Sequence, residues 1–189
     1  MCDLAAMQGA LTRTTADSSR TIHVSIQDAT ATKVDYFIRP TIRIDARVTP
    51  AGRTVLRTTV TIMNTALPGA APSYALGPNT SFTQRPGQYI GRVYFWGPRD
   101  GSQLDSIEES GLRLTQKPIA VDPGKTTVVT FDTVLPARPG AEELVLRVVP
   151  QPRHVPVPVT AELLSVGGVT RGEVQRVPGG KDSEMRWKL

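Results

Sequence analysis

Ile38-Arg39-Pro40-Thr41-Ile42-Arg43-Ile44-Asp45-Ala46-Arg47-Val48 alternates without a break. Arg39, Thr41, Arg43, Asp45 and Arg47 have one parity; Ile38, Pro40, Ile42, Ile44, Ala46 and Val48 have the other. Successive side chains of a strand point to opposite faces, so this is a strand with one wet and one dry face. The chain then turns at Pro50-Ala51-Gly52 and returns through Leu56, Val60 and Ile62. Those apolar residues must share the dry face. A loop of two or four residues would turn them outward. A three-residue loop, with Pro early and Gly at the left-handed last position, sets Ala46 opposite Leu56, Ile42 opposite Val60 and Pro40 opposite Ile62. It also sets Asp45 against Arg57, an opposite-charge pair.

Working outward, Ile22, Val24 and Ile26 mark a strand before this hairpin. After it come Gln88–Trp96, with most of the aromatic side chains, a polar connector from Leu104 to Gly111, then Leu112–Val121 in one piece or two. Thr126–Leu135 and Leu144–Val149 follow. Val155–Leu163 carries Pro156 and Pro158, which predicts a strand at a sheet edge. Seven to nine strands are expected. Turns fall every ~8–12 residues, the spacing of an all-β antiparallel β-sandwich, immunoglobulin-like in layout. Residues 1–20 read as a short helix and linker, 21–165 as the sandwich domain, and 166–189 as a polar, Gly-rich, flexible tail in which Val169–Val177 could add an edge strand. Leu67–Gly87 is a loop long enough to suggest either function or disorder.

Bulk properties exclude several classes. With 39% hydrophobic and 21% charged residues the chain has the composition of an ordinary soluble domain. Its net charge is +5, but the arginines are scattered among Asp and Glu on wet strand faces. No helix-turn-helix, RNA-binding or zinc spacing accompanies them, so a nucleic-acid partner is not expected. Cys2 is the only cysteine, which rules out an internal disulfide. No run of eighteen apolar residues occurs, so no membrane span is expected within these residues.

Five segments, in order, carry a resemblance. They are Lys33-Val34-Asp35-Tyr36-Phe37, the Gly52 turn, Thr59–Ala66 followed by Pro68, Tyr94–Pro98, and Val121-Asp122-Pro123-Gly124-Lys125. Their succession resembles the β-rich C-terminal part of domain-of-unknown-function family 4012, found in actinobacterial envelope proteins. The resemblance implies an extracytoplasmic location, with an N-terminal membrane anchor that these residues do not include. It implies an envelope protein or polysaccharide as partner. It brings no activity, cofactor or catalytic residue.

The residues themselves point to little chemistry. His23 and His154 are the only histidines, and neither lies in a nucleophile–base–carboxylate signature. Asp100, Asp105, Glu108 and Glu109 match no calcium-loop spacing. No catalytic residue, metal ligand or cofactor is therefore expected. Trp96 at a turn reads first as a cap on the core edge. A sharper reading makes it a sugar-stacking platform with Arg99 beside it and Tyr74 reaching over from the long loop. The function that follows is a non-catalytic structural or interaction module of the cell envelope or an exopolysaccharide system. The alternatives are a carbohydrate-binding module and an accessory part of an envelope hydrolase or transferase.

Overall fold

The computed structural model describes residues 20–30, 32–49, 51, 53–78, 84–98, 107–109, 111–136, 142–151, 153–164, 174–177 and 183–188. The expected helix in 1–20 lies outside these, apart from Arg20. The described residues contain eleven strands: β1 (Thr21–Asp28), β2 (Ile38–Val48), β3 (Thr54–Asn64), β4 (Tyr89–Pro98), β5 (Ile107–Glu109), β6 (Leu112–Val121), β7 (Thr126–Leu135), β8 (Glu143–Pro150), β9 (Val159–Leu164), β10 (Gln175–Val177) and β11 (Ser183–Lys188). They form a six-stranded sheet, β11-β8-β1-β4-β6-β5, and a five-stranded sheet, β10-β9-β2-β3-β7. Apolar side chains from both sheets share one core, in which Ile22 and Leu146 of the first sheet and Ile44 and Val60 of the second are fully buried.

The β2–β3 hairpin has the expected register: Ala46 faces Leu56, Ile42 faces Val60, and Pro40 faces Ile62. Thr49 closes the loop by donating its N–H to the Arg53 carbonyl at 2.7 Å. Burial along β2 alternates from Ile38 to Arg47 as the sequence does. Asp45 stands opposite Arg57, yet the two do not pair. Asp45 accepts from Arg43 Nε at 2.9 Å, and Arg57 reaches across to Asp132 of β7, with Nε and Nη2 at 2.8 and 3.0 Å from its two oxygens. A guanidinium fork matched to a carboxylate fork is the better geometry.

The sheets are not wholly antiparallel. β8 runs parallel to β1, with Ile22 beside Val148, and β9 runs parallel to β2, with Ile44 beside Ala161. Both arrive after long excursions of the chain, as parallel neighbours must. β9 is also not an edge strand, because β10 pairs with it. The prolines that suggested an edge stand just before the strand, where no ladder hydrogen bond is missed. Pro40 is tolerated inside β2 for a related reason. Ile42 donates its N–H toward the β9 side, to Pro158 O at 2.9 Å. Pro40 has the same parity, so its missing N–H falls beyond the end of β9.

Two further expectations are corrected. The connector before β6 contains a strand, β5, paired at Ile107–Leu114 through Glu109–Leu112. The segment read as a flexible tail contains β10, an edge strand within the Val169–Val177 stretch that allowed one, and also β11, which was not expected. In β11 Met185 and Trp187 are buried beside Leu146 and Leu144, while Glu184, Arg186 and Lys188 are exposed. This is the same period-two pattern as β2, compressed into five residues behind a Gly-rich run. Replacing Trp187 by Ala is expected to cost about 3–5 kcal/mol, read from urea unfolding midpoints. An unchanged midpoint would mean that β11 contributes nothing to the core.

The Arg57 hydrogen bonds hold the Asp132 carboxyl below its ordinary value. A depressed folded-state pKa stabilises above the unfolded value and is lost as pH falls through the folded one. Asp132→Asn is therefore expected to lower the unfolding midpoint slightly at neutral pH. The difference should close as pH falls below the ordinary carboxylate value of ~3.9. The effect is small because both side chains are largely solvated.

Candidate functional site

One pole of the sandwich gathers the connections that start or end at Asp28, Ile38, Asn64, Tyr89, Val121, Thr126 and Val159. Asn64 fastens them together. Its amide nitrogen donates to Gly87 O at 2.8 Å and Val121 O at 2.9 Å, and its amide oxygen accepts from Ala66 N at 3.0 Å. Its backbone N–H goes to Lys125 O and its carbonyl receives Gly124 N, each at 2.9 Å. The residue is fully buried, so all these bonds form away from water.

The long loop is consequently built rather than loose where it is described. Ser73 and Gly77 bridge each other. Gly87 N donates to Leu76 O at 2.7 Å, and Gly87 takes the left-handed φ of 73° that this turn requires. Arg85 and Gln88 both donate to Asp122 in the neighbouring turn. On the other side of the pole, the buried Arg153 guanidinium donates to Asp35 at 2.7 Å and to Ile26 O at 3.2 Å. His154 lies edge-on to Tyr36 with ring centres 6.1 Å apart.

This rigid frame presents apolar side chains to solvent. Of the seven large hydrophobic residues that are exposed among the described residues, Tyr36, Met63, Leu67, Tyr74 and Val155 all lie at this pole. Tyr74 is 85% exposed and Leu67 75%. Its carboxylates are already committed: Asp28 accepts from Thr30 and Thr32, Asp35 from Arg153, and Asp122 from Arg85 and Gln88. Behind them, burial first, then Asp35 and Asp28, push the Tyr89 phenol far above its ordinary value. It stays neutral at working pH. The arrangement suits contact with a partner better than proton transfer.

Of the Tyr74–Trp96–Arg99 platform, the two described residues, Tyr74 and Trp96, lie apart. Trp96 is only 8% exposed and packs with Leu112 and Leu114, in keeping with the core-edge reading. Tyr74 lies in the loop joined to Gly87 at the start of β4, whereas Trp96 is near its far end. At about 3.3 Å per residue those ends stand roughly 30 Å apart. Arg99, like Asp100 and Asp105, lies outside the described residues. His23 is only 4% exposed, with Nδ1 2.7 Å from Val149 O. Among the described residues no group of three or more His, Cys, Asp or Glu side chains converges on a metal-sized site.

No protein-family model, curated protein or solved structure matches this chain. No described helix is long and apolar enough to cross a membrane.

Asn64→Ala removes the hydrogen bonds that the Gly87 and Val121 carbonyls accept and that the buried Ala66 N–H donates. A loss of about 3 kcal/mol is expected, together with faster amide exchange at Ala66 and Gly124. Exchange confined to global unfolding would show that Asn64 is not what holds the pole.

Proposed function

We propose that this domain is a non-catalytic interaction module whose docking surface is the loop pole. The observation that supports it is the concentration of Tyr36, Met63, Leu67, Tyr74 and Val155 on one frame held by Asn64 and Arg153. Exposed apolar groups on an ordered surface favour association, because their order is established before the partner arrives. The setting follows from the resemblance to domain-of-unknown-function family 4012: an extracytoplasmic position, anchored by a segment preceding these residues, beside an envelope protein or polysaccharide. The sandwich is immunoglobulin-like in general layout, a scaffold whose loops at one end are free to vary.

The test is sedimentation of the purified chain with isolated cell envelopes. The Leu67→Ser/Tyr74→Ser double variant is compared with the parent. Loss of two contact residues is expected to weaken binding by about tenfold or more, with an unchanged unfolding midpoint since neither side chain is buried. Equal sedimentation of both chains would remove the pole from the reading. Failure of the parent to sediment would remove the envelope.

A further inference from the structure

Alternation sorts the side chains of β6 in an inverted way. Arg113, Thr115 and Lys117 stand opposite Gly97, Phe95 and Val93 of β4. Directly opposed residues share a face, and Phe95 and Val93 belong to the core between the sheets. Leu112 and Leu114 stand opposite Pro98 and Trp96 and form a separate apolar cluster on the other face. Over this stretch the strand turns two cations and a threonine inward and its leucines outward. Further on, Ile119 and Val121 restore the ordinary pattern.

The inversion opens a cleft of about 290 Å³ on the β6–β7 side of the sandwich. Arg113, Thr115 and Lys117 line it from one sheet; Thr130, Asp132 and Thr133 line it from the other. Its floor is the Phe95–Phe131 stack, with ring centres 5.1 Å apart and planes 10° from parallel. Gly97 makes room for that floor, since a Cβ there would stand 2.6 Å from the Phe95 ring. Lys117 Nζ lies 5.1 Å from the Phe131 centroid and donates to Thr130 O at 2.6 Å. An ammonium has three hydrogens to give. Among the described residues, no carboxylate pairs with it, because Asp132 gives both oxygens to Arg57.

We propose that this cleft binds a small carboxylic acid bearing several hydroxyl groups, of the hexuronic-acid class. The carboxylate meets Lys117, and the hydroxyls meet the side chains of Thr115 and Thr133, which both donate and accept, and the Thr130 carbonyl, which accepts. The volume lies just below the ~300–1,000 Å³ of pockets for drug-sized ligands, which sets the occupant at about one sugar ring. A ligand carboxylate can take one of the ammonium hydrogens that Thr130 leaves over in a charge-assisted bond, and a neutral sugar forms the weaker neutral one. Asp132 on the rim opposes a dianion more than a monoanion. The cleft is away from the loop pole, so this inference and the docking reading stand or fall separately.

The test titrates the full chain with glucuronate, glucose and inorganic phosphate, followed by calorimetry and amide shifts. Glucuronate is expected to saturate, shifting residues of β6 and β7. Glucose, which lacks the charge-assisted contact, and phosphate, which lacks the ring hydroxyls and meets Asp132 as a dianion, should each bind at least about tenfold more weakly. Lys117→Met should weaken glucuronate by a similar factor, whereas Lys125→Met, in the pole, should not. Lys117→Gln serves if the Met variant fails to fold. No saturable glucuronate binding, unchanged binding in both Lys117 variants, or phosphate binding as tight as glucuronate would each overturn the proposal.

Discussion

The meeting of the two sheets at the loop pole depends on Asn64, whose side-chain amide makes three hydrogen bonds and whose backbone makes two. Asn64 ends β3, and its five hydrogen bonds tie that strand to the start of β4, the end of β6 and the turn into β7. An amide can do this because it donates and accepts at adjacent atoms. A leucine of similar size would fill the space and leave the same carbonyls unpaired. The network spans both sheets, so it also fixes how the two layers meet at this end. The exposed Leu67 and Tyr74 then stand on a base that is already ordered, and a partner need not supply that order.

What was legible in the sequence follows from where period-two patterning acts alone. β2 and β3 carry long, clean alternation around one turn, and their register could be derived to the residue. β11 carries the same signal in Met185 and Trp187, but too briefly to stand out from a polar, Gly-rich run. The parallel neighbours β8 and β9 could not be read, because alternation says which face a residue takes and nothing about which strand lies beside it. The prolines before β9 misled for a similar reason: a strand boundary one residue away changes what a proline costs.

The candidate sites were hidden more deeply. Trp96 drew attention by its chemistry, and burial removes it. Lys117 drew none, because Arg-Leu-Thr-Gln-Lys in isolation reads as an ordinary strand with its charges in water. Only the pairing of β6 with β4 reveals that Arg113 and Lys117 share a face with Phe95 and Val93. Likewise Asn64 appears in sequence as a residue that ends a strand, and its partners are up to some sixty residues away. Short local patterns carry secondary structure well, whereas polar networks are assembled by topology.

The two parallel pairings have a consequence for biogenesis. β1 and β2 leave the ribosome early, yet their remaining neighbours are β8 and β9, which emerge more than a hundred residues later. Until then β1 and β2 each hold one unsatisfied row of backbone groups, a template for pairing with another nascent chain. High sequence separation between partners also slows closure, because loop entropy is lost before contact is gained. The arginines on the outer parity of β2 are charges of the kind that disfavour such pairing. The wet face that made this fold readable therefore also protects the chain while it is incomplete.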